Sequence, residues 1–251
     1  MSDSHWRPVD GAPDPFRVRW FESVDSTNRY LLDGARSGEP EGLVAVADVQ
    51  TAGRGRLGRR WETDPGAALL ASILLRPTSN LDPHLLTTTV ALALRRAVER
   101  LTGTAPGLKW PNDLVVADRK LAGVLAEAIP TPQGTAIVVG AGTNVKAVPS
   151  EFRDRAIACD DLADGSVDRQ QLLFAWLEEL AARVRRPGEV IDEATVASAT
   201  LGRDVRIEGH DGEAITGRAV GLTASGALVV EMEDGSRRAF TAGDVVHLRP
   251  A

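Results

Sequence analysis

The stretch that decides the fold is Leu108-Lys109-Trp110-Pro111-Asn112-Asp113-Leu114, followed by Lys120-Leu121-Ala122-Gly123-Val124-Leu125. Pro111-Asn112-Asp113 reads as a turn, because proline presets φ and Asx side chains bond their own backbone. The apolar runs around it predict strands near 106–110, 113–117 and 120–129, with another near 135–141. A hairpin over this turn puts Lys109 and Lys120 at strand positions. A lysine pointing inward among Leu and Val is costly unless it meets an anion. The same lysine on an edge strand simply faces water. Spacing alone leaves both open.

Upstream, residues 17–24 read as a short strand, and Asp25-Ser26-Thr27-Asn28 is a cluster of helix N-cap residues. A short helix with Tyr30, Leu31 and Ala35 follows, ending near 34–38. Residues 43–49 and 67–76 read as buried strands. Between them, 50–66 carries Gly53, Gly55, Gly58, Pro65 and Gly66 and reads as a loop. Apolar residues at helical spacing predict helices over 83–102 and 168–186, and a shorter one over 189–199.

After Leu201-Gly202 the pattern changes to short alternating strands at 204–208, 214–222, 227–232, 236–240 and 245–248. Asp211-Gly212, Ser225-Gly226 and Asp234-Gly235 are the turns between them. Five strands this short predict a small barrel over 202–251. The larger domain then spans 17–201. Residues 1–16, with Pro8, Pro13 and Pro15, read as a disordered lead-in.

The chain has 251 residues, 43% of them hydrophobic and 25% charged, the composition of an ordinary globular protein. Its 29 Lys+Arg and 35 Asp+Glu give a net charge of −6, which argues against an extended nucleic-acid-binding face. A lone Cys159 excludes an intrachain disulfide and fits a reducing compartment. No apolar run is long enough for a membrane span. With no signal-like start, a cytoplasmic location is expected. His5, His84, His210 and His247 are too scattered in sequence for metal-ligand spacing.

Against that acidic background, Gln50-Thr51-Ala52-Gly53-Arg54-Gly55-Arg56-Leu57-Gly58-Arg59-Arg60-Trp61 packs four arginines into seven residues. The glycines let backbone N–H groups approach a ligand closely. The arginines offer forked donors for carboxylate or phosphate, and Trp61 offers a flat face for a nucleobase. A solvated basic loop or an RNA-binding Arg-Gly segment would read similarly. With little apolar content, residues 53–60 are expected to stay disordered until an anion orders them. A third segment, Val138-Val139-Gly140-Ala141-Gly142-Thr143-Asn144, is a strand running into a Gly-X-Gly turn. It lacks the third glycine of a dinucleotide fingerprint.

Taken in order, these segments resemble the biotin–protein ligase family. The resemblance covers about residues 18–248 and rests on Asp25 to Asn28, Gln50 with Gly53 through Trp61, Lys109 to Asp113, Lys120 to Gly123, and Gly140 to Asn144. It implies an α+β fold: a mixed sheet flanked by helices, as in class II aminoacyl-tRNA synthetases, with a small C-terminal SH3-like barrel. It implies biotin and ATP as substrates, with Mg²⁺ accompanying ATP on ligands the sequence does not name. The product of the first step is biotinyl-5′-AMP. The acceptor is a lysine of a biotin carboxyl carrier protein.

The resemblance also implies roles. Ser26, Thr27 and Gln50 meet the ureido ring, Asn28 and Gly53 join them in the biotin site, and Gly123 and Gly140 leave room for the ring and chain. Lys120, Arg54 and Arg56 meet the carboxylate and the α-phosphate. Arg59, Trp61, Lys109, Asn112 and Asn144 join Arg56 and Lys120 around the adenylate, with Trp61 covering adenine and Asn144 reading its edge. Asp113 positions or deprotonates the acceptor lysine. Two departures stand out. Glu62-Thr63-Asp64-Pro65 replaces the aromatic-Ser-Pro stretch of many relatives. Only 25 residues precede Ser26, so no DNA-binding domain and no repressor function are expected. A lipoate–protein ligase and a non-enzymatic nucleic-acid-binding module are the competing readings.

Overall fold

The computed structural model describes residues 5–77, 83–146, 148–184, 189–208, 214–241 and 243–248. Two sheets organise the chain. The first is mixed and eight-stranded. Its strands are β1 (Trp6–Val9), β2 (Arg17–Val24), β3 (Leu43–Gln50), β4 (Ala68–Leu75), β5 (Gly107–Lys109), β6 (Asp113–Val116), β7 (Arg119–Thr131) and β8 (Gly134–Asn144). Their spatial order is β1-β2-β3-β4-β8-β7-β6-β5. Only β2 and β3 run parallel, joined by the crossover helix α1 (Thr27–Arg36). The hairpin expected across Pro111-Asn112-Asp113 is β5 with β6, and β6, β7 and β8 continue it as a meander.

Both faces of this sheet are covered, which explains why 43–47 and 68–75 read as continuous apolar runs. Val44 and Val46 face a core shared with α2 (Pro83–Thr102) and α3 (Arg169–Val184). Leu43, Ala45 and Ala47 face the opposite core with Leu31, Leu32 and Ala35 of α1. A short helix, α4 (Val190–Ala197), leads out of this unit.

The second sheet is antiparallel and five-stranded, ordered β12-β11-β10-β9-β13. Its strands are β9 (Asp204–Glu208), β10 (Ala214–Leu222), β11 (Leu228–Glu231), β12 (Arg237–Phe240) and β13 (Asp244–His247). It encloses its own barrel-like core of Val205, Ile207, Ala219, Leu228, Val230 and Val245. The turn expected at Asp211-Gly212 lies outside the described residues. Trp110, from the first unit, inserts into this second core. Its indole Nε1 donates to Gly226 O at 3.0 Å, and His84 Nε2 lies 2.8 Å from the same oxygen.

One expectation fails. Residues 6–9 are not a disordered lead-in but an edge strand paired antiparallel with 18–21. Val9 and Phe16 are buried in the main core, and the Arg19 guanidinium lies over the Trp6 ring at 4.9 Å. Prolines are tolerated on an edge strand, where an N–H can be spared. Met1 to Ser4 lie outside the described residues.

Candidate active site

The site opens where α1 stops short of covering the sheet. Along β8, Ala136 and Val138 pack under α1. The next residues on that face are Gly140 and Gly142, beyond the helix N-terminus, where Ser26 caps the first turn through Arg29 N. The strand register sets Ser72, Gly140 and Leu125 in one row. It sets Gly142, Gly123 and Asp113 in the next. A cavity of about 270 Å³ lies over these rows.

Ser26, Thr27, Asn28 and Gln50 form one wall of this cavity. Thr27 N–H donates to Gln50 Oε1 at 2.8 Å, and Thr27 Oγ1 lies 2.7 Å from Ser72 Oγ. Ser72 Oγ donates to Asn28 Oδ1 at 2.6 Å, and Asn28 Nδ2 donates to Glu127 Oε2 at 2.8 Å. On the opposite wall, Lys120 Nζ pairs with Asp113 Oδ1 at 2.8 Å. Lys120 lines the cavity with a carboxylate as its protein partner, and its side chain stays 39% exposed.

The glycines make room differently from what the sequence led us to expect. A Cβ on Gly140 would overlap Asn28 Oδ1 and come within 2.9 Å of Ser72 Oγ. A Cβ on Gly123 would lie 3.1 Å from Lys120 Nζ and 3.3 Å from Asp113 Oδ1. Both glycines admit the protein's own polar groups into the cavity lining. Gly142, which sequence reasoning passed over, admits the Trp61 indole, whose Cε2 would be 2.5 Å from a Cβ there.

Residues 53–61 form a closed turn. Gly55 N donates to Arg59 O at 2.7 Å and Trp61 N to Gly53 O at 3.1 Å, around a single 3₁₀ turn at Arg56–Gly58. Arg54 pairs with Glu127 at 2.9 Å. Arg56 Nη1 donates to Asn112 Oδ1 at 3.2 Å and to Gly243 O of the second sheet at 3.3 Å. Arg54, Arg56, Arg59 and Asn112 all border the cavity. Gly53 does not; its hydrogen lies against the Trp61 carbonyl, which a Cβ would strike, so it serves the turn.

A second cavity, of about 530 Å³, adjoins the first and shares Arg60, Trp61 and Lys120 with it. Lys120 Nζ stands 5.4 Å from the Trp61 ring centroid, at the junction. Lys146, Phe152 and Arg155 line the far side. Asn144 lines it too, but its Nδ2 is committed to Lys120 O at 3.3 Å and Ile157 O at 3.1 Å. Both Nδ2 bonds go to main-chain oxygens.

Like Gly53, Lys109 is an expected residue that the structure sets apart. It borders neither cavity. Its charge acts instead on His247, whose imidazole is held below its usual range by burial first, then by Lys109 and Arg203. Sequence reasoning also missed Ser72 and Glu127, which sit in no recognisable motif, and it gave no role of its own to Arg60 of the arginine segment. Among the described residues there is no cluster of three or more His, Cys, Asp or Glu that could hold a metal ion.

Chemically, the site offers directional polar groups at one end, a lysine beside arginines in the middle, and an aromatic, cationic chamber at the other. Residues 20–144 match the biotin/lipoate A/B protein ligase family, and residues 200–248 match the biotin protein ligase C-terminal domain. A biotin–[acetyl-CoA-carboxylase] ligase of Mycobacterium tuberculosis is 35% identical over 98% of this chain and 91% of its own length. The bifunctional ligase/repressor BirA of Escherichia coli is 31% identical over 95% of this chain and 76% of its own. The solved biotin protein ligase from Aquifex aeolicus, in complex with biotin and ATP, aligns with a TM-score of 0.80 at 30% identity. That alignment covers 93% of this chain and 99% of the other. With both units matched in order by relatives that share nearly its whole length, the chain belongs to the biotin protein ligase family.

Proposed function

We propose that this chain activates biotin with ATP and transfers it to a lysine of a biotin carboxyl carrier domain. A biotin carboxylate oxygen attacks the α-phosphorus of ATP, the bond to the β-phosphate breaks, and pyrophosphate leaves. The acceptor amine then attacks the carbonyl of the mixed anhydride, releasing AMP and a proton. The observation that carries this reading is Lys120 at the junction of the two cavities, bordering both.

The first cavity takes the ureido ring and acyl chain; the second takes adenosine. Lys120 stands between two anions that repel each other and stabilises the charge that builds on the α-phosphate. Arg54 and Arg56 border the same region from the loop. Trp61 forms the partition against which the nucleotide packs, and Asn144 Oδ1 accepts from the adenine amino group. Asp113, bonded to Lys120, is the carboxylate nearest the reacting centre and positions the incoming amine. ATP enters as its magnesium complex, with the phosphates as the principal ligands. The protein works in the cytoplasm, consistent with a buried free thiol at Cys159 and with no described helix long and apolar enough to cross a membrane.

Pyrophosphate exchange into ATP tests the reading. Exchange that requires biotin, and that lipoate does not support, is the expected result. Exchange driven by lipoate would move the chain to lipoate ligases; none with either acid would remove the adenylation step.

A further inference from the structure

We propose that Glu127 is a positioning residue that sets the direction of hydrogen bonding in the first cavity and so makes it demand an N–H donor from its ligand. This rests on the reading that the first cavity holds the ring of biotin. Glu127 lies on β7, at the edge of the site. Its Oε2 accepts from Arg54 Nη2 at 2.9 Å and from Asn28 Nδ2 at 2.8 Å.

The argument is a count of protons. A carboxylate accepts only, and so does a main-chain carbonyl. Asn28 meets one of each, Glu127 Oε2 and Leu125 O, and must turn its nitrogen toward both. Its oxygen therefore faces Ser72, and Ser72 spends its single hydroxyl proton there, at 2.6 Å. Ser72 Oγ is left as an acceptor, so the 2.7 Å contact with Thr27 Oγ1 must be filled by the proton of Thr27. Gln50 is oriented independently, because its Oε1 accepts Thr27 N–H at 2.8 Å.

The chain ends in a deficit. Thr27 Oγ1 also stands in donor geometry 3.0 Å from Gln50 Oε1, but its one proton serves only one of the two contacts, and the shorter, to Ser72 at 2.7 Å, holds it; both residues line the cavity. Two acceptors at that separation repel unless a donor is shared with them. A ureido N–H supplies one. A dithiolane ring, an ester or a ring oxygen does not. The preference for a cyclic urea is thus written into Glu127, which touches neither Thr27 nor Gln50 among its hydrogen-bond partners.

The probe is a pair of acids: biotin, and its cyclic carbamate analogue in which one ring N–H is replaced by oxygen. In the full-length chain, biotin should be preferred over the carbamate that faces Thr27 by about a hundredfold in kcat/KM. Glu127→Gln lets the chain reverse, since a carboxamide can donate to Asn28 Oδ1 and only the longer 3.3 Å bond to Leu125 O then holds the Asn28 nitrogen in place. The preference should narrow to about tenfold, with KM for biotin up about tenfold and kcat changed less than about twofold. Ser72→Ala cuts the chain without touching Glu127 and should narrow the preference equally, which keeps the test alive if the glutamine variant fails to fold. Glu127→Asp, still an acceptor only, should keep the preference. An unchanged preference in folded Glu127→Gln and Ser72→Ala overturns the proposal. So does a parallel loss for biotin and ATP, which would mark Glu127 as structural. If the wild-type chain does not bind biotin at all by calorimetry, the underlying reading falls with it.

Discussion

The two cavities meet at Lys120 but are built by different means. The first is walled by strands and the start of α1, and its polar atoms are bonded to one another: Thr27, Ser72, Asn28 and Glu127 form one chain. The second is walled by connecting segments around Glu62, Pro149 and Phe152, with Lys146 and Arg155 supplying charge. Recognition by hydrogen-bond direction needs atoms fixed to a few tenths of an ångström, which paired strands provide. Recognition of a flat ring and phosphates by stacking and charge tolerates looser walls. Each cavity uses the scaffold its task requires.

The sharpest way to break this division is at the shared residue. Lys120→Ala should disable both halves, slowing biotin-dependent pyrophosphate exchange by about 10–150-fold for one lost charge-assisted bond. An unimpaired variant would show that the junction is not where the anions meet. A second test moves the partition alone. Gly142→Ala places a methyl 2.5 Å from the Trp61 indole and pushes it aside. KM for ATP should rise about tenfold, while biotin affinity, measured by calorimetry, changes far less. Equal effects on both ligands would mean that the two cavities behave as one.

The arginine loop sharpens the comparison further, because it closes over both. Its four arginines between 54 and 60 are trypsin sites, and biotin with ATP should slow cleavage there several-fold. Cleavage unaffected by ligand would mark the turn at 53–61 as preformed.

The smallest effect is expected at Cys159, buried in the main core. Cys159→Ser should ligate biotin within about twofold of the wild-type rate, since the thiol is too basic to act. Burial, then Asp160 and Asp161, push that thiol up to about 12 from 9.0. The folded state holds this proton more tightly than the unfolded state does. Its contribution to stability is complete below pH 9 and is lost as pH rises toward 12. Melting temperatures across that range should fall more steeply for the wild type than for the serine variant.

Much of this architecture was legible in the chain, and the failures have physical causes. Period-two and period-3.6 patterns located the strands and helices because one or both faces of each element are buried. Strand Trp6–Val9 was not legible, since its pairing is supplied by Arg17–Val24 and its own Pro8 argues against it. Gly123 and Gly140 were recognised as making space. What fills the space, Lys120 with Asp113 and Asn28 with Ser72, depends on register between strands, which spacing does not reveal. Glu127 and Ser72 went unnoticed because a single acidic or hydroxyl residue in a strand carries no pattern. Lys109 was drawn in by its neighbours in the Lys-Trp-Pro-Asn-Asp run, although it borders neither cavity.

The junction between the two sheets has a consequence for how the protein can vary over time. Trp110 and His84, from different elements of the first unit, both anchor on the carbonyl oxygen of Gly226. A main-chain oxygen is present whatever the residue, so drift in the second sheet cannot delete this anchor as it could delete a side chain. On the second sheet's side, the exposure of this anchor to mutation is confined to Gly226 itself. There φ is +82°, and any Cβ would lie 2.8 Å from the His84 ring. On the side of the small sheet one codon thus guards this anchor, whereas the pairing of Arg203 with Asp118 and the contact of His247 with Thr200 still depend on side chains.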